Sequence, residues 1–203
     1  MNPFIPCLPL VGLVILLYFL VVRPWQLTWG STKDEVHQSF PGDDVVRKPH
    51  FVATRAITIK APPVEVWKWI IQIGSARAGF YSIDLIDNAN VPSSREILTE
   101  FQKIAIDYFI PFTPDQKNGM WVKEFMEPGY ILWWDKKGNG TWGWYLHQTS
   151  ANETRLVTRL RTKYKFSFPW IIYYVFYDFG DIIMMSKCML GIKERAEFAF
   201  DNA

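Results

Sequence analysis

The sequence contains few of the residues from which common catalytic and metal centres are built. Its 203 residues include 2 Cys and 3 His, and none of these stand at a spacing that predicts a metal site. It has no His-Glu-x-x-His, Cys-x-x-Cys, Gly-x-Ser-x-Gly or P-loop motif, and Gly138, Gly140 and Gly143 lie in a predicted hairpin rather than on a phosphate-binding loop. Zinc, haem attachment, nucleotide binding and serine-hydrolase chemistry therefore lose support. We expect neither a metal nor a cofactor.

An excess of charge of either sign is also missing. Lys and Arg number 22 and Asp and Glu number 20, which gives a formal net charge of +2. No run of basic residues alternates with stacking aromatics, so nucleic acid is not an expected partner. Cys7 and Cys188 lie in segments predicted to be a membrane span and a C-terminal helix. We do not expect them to pair, which favours a reducing compartment.

Aromatic side chains are abundant. They make up 17% of the chain and include 10 Trp. Such residues carry large apolar area on stiff side chains, so they suit both cavity walls and membrane interfaces. With 49% hydrophobic residues, the length allows one globular domain plus an accessory segment rather than two full domains.

The accessory segment is an uncharged run over residues 4–22. As a helix it would be roughly 28 Å long, close to the thickness of the hydrocarbon core of a bilayer. Trp25 and Trp29 follow Arg23 at positions typical of interfacial anchors. A cleaved signal peptide is the alternative, but the first residues carry no Lys or Arg and no small-x-small cleavage site follows. We predict a retained single-pass membrane anchor over residues 1–24.

The side-chain positive charges near this span lie after it, at Arg23 and Lys33. The positive-inside tendency then places the rest of the chain in the cytoplasm, with an outward-facing domain as the open alternative. Residues 25–50 are polar and are predicted to be a linker. Thr32 and Glu35 within it fit a capping box for one turn of helix. We interpret this segment as a tether.

The rest of the chain is organised around residues 51–88, FVATRAITIKAPPVEVWKWIIQIGSARAGFYSIDLIDN. This stretch opens with the alternation of a half-buried strand. Pro62 and Pro63 then end the strand and start a helix, because proline has no N–H to donate and its fixed φ suits a first helical turn. Gly74 closes that amphipathic helix.

This ordered set of segments resembles bacterial members of the START/polyketide-cyclase-like superfamily, also called SRPBCC. The resemblance extends upstream to WGSTKDEVHQSFPGDDVV, which such proteins often carry between a membrane anchor and the domain, and downstream to GIKERAE. It implies an α+β helix-grip fold over residues 51–203, in which a curved antiparallel sheet surrounds a long C-terminal helix and two short helices follow the first strand. It implies no particular reaction, because the superfamily includes lipid carriers, cyclases and proteins of unknown role.

The remaining patterns agree with that fold. A second short helix is predicted to begin at Pro92, with a serine cap and an acidic first turn. Strand-like runs follow at residues 105–112, 120–126, 130–135, 141–148 and 154–166. Residues 169–200 form one long predicted helix with an apolar start. Asp178 and Asp181 interrupt that start, so we expect the helix to pack across the sheet rather than span the membrane, with its aromatics on the core or on the bilayer surface.

Seven residues are predicted to bind a ligand between the sheet and this helix: Tyr81, Asp84, Trp133, Trp142, Trp144, His147 and Arg159. Core packing is favoured for most of the tryptophans, and a lone histidine is more often structural than catalytic, but so many large aromatics also fit the wall of a ligand cavity. Asp84 and Asp87 form a carboxylate pair suited to acid–base chemistry or ligand anchoring, although capping of turns is favoured. Arg159 belongs to a basic stripe interpreted as a solvated sheet face. The alternative places Arg159 inside, holding an anionic head group.

Together these observations predict a membrane-tethered protein that binds a hydrophobic small molecule or lipid in an aromatic-lined cavity. One alternative is a cyclase, dehydratase or hydrolase that uses Tyr81, Asp84 or His147. Another is a non-catalytic subunit of a membrane protein complex. No catalytic residue is assigned, and whether the protein is an enzyme stays open.

Overall fold

The computed structural model describes residues 7–202; residues 1–6 and 203, and the side chains of residues 7, 8, 171, 173, 175 and 176, lie outside that description. The first part of the predicted membrane span, residues 4–6, therefore falls outside the described residues.

The N-terminal helix, as we call it, comprises α1 (Cys7–Leu17), a π-helical segment (Tyr18–Val22) and α2 (Arg23–Leu27). Its stretch Pro9–Leu27 is long and apolar enough to cross a membrane, and 6% of the most apolar window is buried in the fold. A signal sequence near an N-terminus has the same length and composition. No other helix in the described part of the chain meets these criteria.

Six antiparallel strands form one curved sheet in the order β1-β6-β5-β4-β3-β2. Their bounds are β1 Phe51–Ile59, β2 Phe109–Pro111, β3 Gly119–Met126, β4 Tyr130–Trp134, β5 Gly140–Ser150 and β6 Glu153–Thr162. All the predicted strands are present, but the run predicted at 105–112 is reduced to β2 and the run predicted at 154–166 ends at Thr162. Asp107 has a φ of 64°, and this left-handed conformation interrupts the extended backbone. Register shifts in the β3–β4 and β5–β6 ladders are of the kind that bends a sheet.

The long helix α6 (Trp170–Asp201) crosses the inner face of the sheet, as predicted. Strand residues alternate between the two faces, so that Trp142 and Trp144 on β5 join the main core while Tyr145 packs on the other side. The buried α6 residues recur at helical spacing: Met185, Cys188, Met189, Ile192 and Ala196. This α+β arrangement is consistent with the predicted helix-grip fold.

The first of the two predicted short helices is present as α4 (Pro63–Ile71), but the prediction of a second helix starting at Pro92 is wrong. The helical pieces in that region are α5 (Asp84–Asp87) and a 3-10 turn (Thr99–Phe101). The Gln72 side chain accounts for the difference. Its amide nitrogen donates to the carbonyl oxygen of Glu96 at 3.1 Å, and its oxygen accepts from the N–H of Leu98 at 2.9 Å. Backbone groups that a helix would pair internally are therefore bound to the end of α4.

Around Arg159 the outer face of the sheet is covered by residues 28–46 and not solvated, which corrects the prediction for this part of the basic stripe. Arg159 is 4% exposed and donates to the carbonyl oxygens of Glu35, Val36 and Gln38 at 2.8–2.9 Å. The predicted capping box is present at the start of α3 (Lys33–His37). This segment, interpreted from sequence as a tether, is packed onto the domain.

The N-terminal helix contacts the start of α6 through Asp178. The Tyr18 hydroxyl donates to Asp178 Oδ2 at 2.8 Å, and Arg23 Nε donates to the same oxygen at 3.0 Å. The Gln26 amide donates to the Asp178 carbonyl oxygen at 2.8 Å. The rings of Tyr18 and Phe179 stack with their centroids 4.3 Å apart. The candidate membrane span therefore lies beside the first half of α6.

Candidate functional site

A cavity of about 320 Å³ lies between the inner face of the sheet and the first half of α6. Its wall includes the half-buried residues Ser82, Gly180 and Met184. Apolar side chains form most of its wall: Phe80, Phe112, Met120, Trp142, Leu160, Tyr177, Met185 and Cys188. Polar groups in the wall are few, and they include two carboxylates, Asp87 and Asp181.

Gly180 of α6 leaves open space at the cavity wall. Gly180 lines the cavity, and a β-carbon added there would meet no atom within 4 Å. Elsewhere the interior is filled by large aromatics, including Trp67, Trp69, Trp133 and Trp144, each 2% exposed or less. Most of the described tryptophans therefore serve the core.

A buried ion pair stands at this end. Arg55 Nη1 and Asp181 Oδ2 are 2.6 Å apart, and their side chains are 1% and 7% exposed. The Arg55 Nε also donates to the carbonyl oxygen of Gln26, in the N-terminal helix, at 2.7 Å. The negative charge of Asp181 is thus compensated within the protein. The same arginine joins the cavity wall to the base of the N-terminal helix.

Asp87 is the second carboxylate of the wall. Both of its carboxylate oxygens are shielded from solvent and accept no hydrogen bond of ordinary geometry from the residues that the structure describes. Burial, followed by the charge of Asp84, raises the pKa of Asp87 to about 6. The Ser82 hydroxyl opposes this rise only in part, and it also lies 3.7 Å from Met184 Sδ as a donor. Asp87 therefore exchanges its proton close to neutral pH.

Of the three tryptophans predicted to bind a ligand, Trp142 lines the cavity. Its indole N–H donates to Thr158 Oγ1 at 2.9 Å, which fixes the ring against the sheet. Trp133 and Trp144 are fully buried behind it in the core and are not part of the wall. The alternation along β5 and β4 predicts the inward face correctly but cannot distinguish a cavity wall from a filled core.

Tyr81 and Asp84 are held by structural partners beside the cavity. The Tyr81 hydroxyl donates to the carbonyl oxygen of Trp69 at 3.1 Å and accepts from the Gln72 amide at 2.9 Å. Burial raises the pKa of this tyrosine well above its ordinary value. Asp84 accepts a short hydrogen bond from the Ser93 hydroxyl, in keeping with the turn-capping role favoured from sequence.

His147 and Arg159 lie on the outer face of the sheet and not at the cavity. His147 is exposed. Arg159, although buried, donates to Asp43 Oδ2 at 2.7 Å and to Thr54 Oγ1 at 2.9 Å, in addition to its three carbonyl partners. Its guanidinium is therefore committed to holding residues 28–46 against the sheet.

Sequence reasoning missed the roles of Arg55 and Asp181; it named Asp87 as part of a carboxylate pair but did not include it among the predicted ligand-binding residues. Arg55 lies on the same face of β1 as the inward residues Ile57 and Ile59, so the strand period alone places a charge in the interior. That position predicts a buried acidic partner, because an arginine is rarely buried unpaired. Asp181 was interpreted only as a residue that interrupts an apolar run. Among the side chains that the structure describes, no three His, Cys, Asp or Glu residues are grouped to hold a metal ion.

Comparisons with known proteins find similar solved structures but no matching sequence family. No protein-family profile matches the chain, and no curated protein matches it in sequence. Similar structures include a conserved protein of unknown function from Enterococcus faecalis, with 14% identity over 75% of this chain and 74% of that chain and a TM-score of 0.47. A protein from Mesorhizobium loti has 12% identity over 71% and 96% of the two chains and a TM-score of 0.42. A polyketide-cyclase-like protein from Corynebacterium glutamicum has 15% identity over 74% and 83% and a TM-score of 0.34. Likenesses of this extent do not establish a shared activity.

Proposed function

We propose that this chain is a membrane-tethered, START/polyketide-cyclase-like protein that binds a hydrophobic small molecule or lipid between its sheet and α6. The observation that carries the proposal is the cavity of about 320 Å³ with its mostly apolar wall. This volume lies at the lower end of the range of small-molecule sites. Unfilled apolar space forfeits dispersion contacts in the ligand-free protein, and an apolar ligand restores them.

Tethering to the membrane is supported by the surface around the cavity. Ile172, Phe179, Ile183 and Leu190 of α6 are about half exposed and are spaced by 7, 4 and 7 residues, which places them on one stripe of the helix. The N-terminal helix packs beside this stripe at Phe179. A membrane-anchored domain meets apolar ligands where they are concentrated, and a short connection keeps the cavity near them. We place the domain on the cytoplasmic side because Arg23 and Lys33 follow the span, and positive charges flanking a membrane span tend to stay in the cytoplasm.

Substitutions at Gly180 test the proposal, because they alter the cavity and little else. A Gly180→Phe side chain would enter open space at the wall, whereas Gly180→Ala keeps most of the space and serves as the matched control. The full chain and both variants would be purified in mild detergent, and small molecules bound to each would be identified by native mass spectrometry. We expect the wild type and Gly180→Ala to carry the same molecule and Gly180→Phe to carry at least tenfold less. A wild type that carries only detergent, or a Gly180→Phe protein as loaded as the control, would contradict binding in this cavity.

A second candidate function is acid–base catalysis on the bound molecule, with Asp87 rather than the predicted Asp84 or His147 as the proton-transferring group. The raised pKa of about 6 favours it, since a catalytic acid or base works best near the operating pH. Lipid and metabolite profiles of cells expressing wild-type or Asp87→Asn protein distinguish the two functions. Accumulation of one compound and loss of another in the variant would indicate turnover, and identical profiles would leave binding alone.

A further inference from the structure

We propose that residues 163–169, which we call the aromatic loop, insert into the surface of a bilayer that contains anionic phospholipids. This inference rests on the membrane tethering in the proposed function and adds the chemistry of the lipid surface that the domain contacts. The loop has the sequence KYKFSFP and joins β6 to α6. Its two phenylalanines, Phe166 and Phe168, are 68% and 81% exposed. Removing such side chains from water is favourable, so the loop marks an interaction surface.

The base of the aromatic loop is held beside the N-terminal helix. The Tyr164 hydroxyl donates to Asp178 Oδ1 at 3.2 Å, and Asp178 is the residue with which Arg23 forms an ion pair. Phe166 lines the same groove as the part of the N-terminal helix between Val14 and Arg23. That part is roughly 13 Å long, and Arg23 is its first charged residue. A bilayer that surrounds the candidate span therefore reaches the loop.

Basic side chains surround the aromatic loop. The His50 N–H donates to the Thr162 carbonyl oxygen at 2.9 Å, and the Lys163 N–H donates to the Asn139 carbonyl oxygen at 2.7 Å. These bonds bring three chain segments together at one end of the sheet. The segments carry four exposed basic side chains that form no ion pair with a residue that the structure describes: Arg47, Lys48, Lys137 and Lys165.

Nearby carboxylates compensate only part of this positive charge. Asp43 is already paired with Arg159 and lies 3.3 Å from Arg161. Asp135 Oδ1 accepts hydrogen bonds from two backbone N–H groups of its own hairpin, and Asp44 is exposed. Asp44 and Asp135 together are fewer than the four exposed basic residues, so the surface around the loop is positive.

An anionic bilayer fits this combination of side chains better than another protein does. Aromatic rings are favoured at the headgroup level of a bilayer, and Lys and Arg residues close to the surface are attracted to anionic lipids. The candidate span beside the loop already brings it to lipid, whereas a protein partner would have to displace that lipid. The cytoplasmic leaflet is the anionic one, which agrees with the side on which we place the domain.

A fluorescent reporter on the loop tests the proposal. A nitrobenzoxadiazole label would be attached at Phe168→Cys in the full chain, after replacing Cys7 with Ser and Cys188 with Ala. This reporter protein would be reconstituted into vesicles of phosphatidylcholine alone or with about one third phosphatidylserine as the anionic lipid. The amplitudes of the long and short fluorescence lifetimes give the ratio of inserted to water-exposed label. We expect this ratio to be at least about tenfold higher in the anionic vesicles, because each nearby Lys or Arg strengthens the attraction about fivefold.

Charge-removing variants of the reporter protein show whether the basic residues are responsible. Lys48→Gln combined with Lys165→Gln should lower the ratio at least about tenfold in anionic vesicles and change it little in phosphatidylcholine alone. Lys60→Gln combined with Lys103→Gln removes the same number of exposed charges outside this surface and is the matched control. The control should stay within about twofold of the unsubstituted reporter, as expected for charges more than a Debye length from the lipid. Raising the salt concentration screens the same attraction and should lower the ratio without any substitution.

The outcomes separate this inference from the tethering on which it rests. A reporter protein that does not float with either kind of vesicle contradicts tethering, and the inference is overturned with it. If the protein floats but the label has a water-like lifetime in both membranes, loop insertion alone is overturned. Equal insertion in the two membranes, or equal losses in the two double variants, overturns the preference for anionic lipid. A label that is shielded from water but not quenched by nitroxide lipids would show that a protein, such as a second copy of this chain, covers the loop instead.

Discussion

At the scale of single residues, the pair formed by Arg55 and Asp181 places two charges in the interior of a small domain. Burying each charge costs several kcal/mol of solvation free energy, which mutual attraction roughly repays only when the geometry is good. The 2.6 Å separation gives a strong attraction, but neither atom of this contact makes a hydrogen bond of ordinary geometry with a residue that the structure describes, so the pair recovers only part of that cost. Because the pair connects β1 to α6 beside the cavity, it fixes the position of the helix next to Gly180, where a β-carbon would meet no atom within 4 Å.

Removing one partner of this pair should be far more destabilising than removing both. We expect Arg55→Met to lower the free energy of unfolding by about 3–5 kcal/mol, since Asp181 is left buried and unpaired. The double variant Arg55→Met, Asp181→Leu should cost clearly less than the sum of the two single changes. Denaturant unfolding of the full chain in detergent measures these values. Arg95→Met, which breaks an exposed pair with Glu194, is the control and should change stability by less than about 1 kcal/mol. Additive single costs would contradict a coupled pair.

Asp87 should make stability depend on pH in the direction opposite to an ordinary salt-bridged aspartate. Its pKa is about 6 in the fold against 3.8 for an unperturbed aspartate, so the native state holds the proton to higher pH than the unfolded chain. Stability is therefore lost as pH rises from about 4 to about 6. Asp87→Asn should remove this loss and be more stable than the wild type at pH 7 by about 1 kcal/mol, a value reduced because Asp87 is partly exposed. Thermal unfolding of both proteins at pH 4.5 and pH 7 tests this. A constant difference between them at both pH values would contradict it.

At the scale of elements, the outer face of the sheet depends on one arginine. Arg159 donates five hydrogen bonds, four of which reach residues 35–43. Truncation would leave three backbone carbonyl oxygens and Asp43 without this partner under the covering segment. Residues 28–46 should therefore detach before the sheet itself unfolds.

We expect Arg159→Leu to lower the free energy of unfolding by about 2–4 kcal/mol, because several buried acceptors lose a charged donor. It should also expose residues 33–46 to limited proteolysis while the core remains resistant. Arg47→Leu is the matched control, since Arg47 is exposed. Equal proteolysis of the two variants would show that Arg159 does not hold the segment.

The periodicity of apolar residues and the turn residues predict most of these elements from sequence. The predictions that fail do so because of side-chain contacts between residues far apart in the chain. The strands, α4 and α6 follow from alternation, from Pro63 and from the helical spacing of apolar residues, all of which are local. The helix predicted at Pro92 fails because Gln72, more than 20 residues away in the chain, binds its backbone. The solvated face predicted for Arg159 fails because a segment more than 100 residues earlier covers it. The cavity is a further non-local feature, since its wall combines residues of the sheet with residues of α6 such as Gly180.

At the scale of the whole molecule, the N-terminal helix and the cavity lie at the same end of the domain. Asp178 accepts hydrogen bonds from the N-terminal helix, and Asp181, one turn later, belongs to the cavity wall. The hairpin between β5 and β6 lies at the opposite end of these strands. Thr162, at the end of β6, lines the cavity, whereas Glu153, at the start of β6, belongs to the hairpin. If the N-terminal helix spans a bilayer, the cavity is near that bilayer and the hairpin is remote from it.

Environment-sensitive labels at the two ends test this orientation. A cysteine at Ile183 lies about 7.5 Å along α6 from Asp178, since a helix rises 1.5 Å per residue. A cysteine at Asn152 lies in the remote hairpin and is the control; both would be made after replacing Cys7 with Ser and Cys188 with Ala. In vesicles of phosphatidylcholine, a nitrobenzoxadiazole label at 183 should emit at shorter wavelength and be quenched by nitroxide lipids, while the label at 152 should behave as in water. Equal emission and equal quenching at the two positions would mean that α6 does not rest on the bilayer, and the cavity would then have to take its ligand from the aqueous phase.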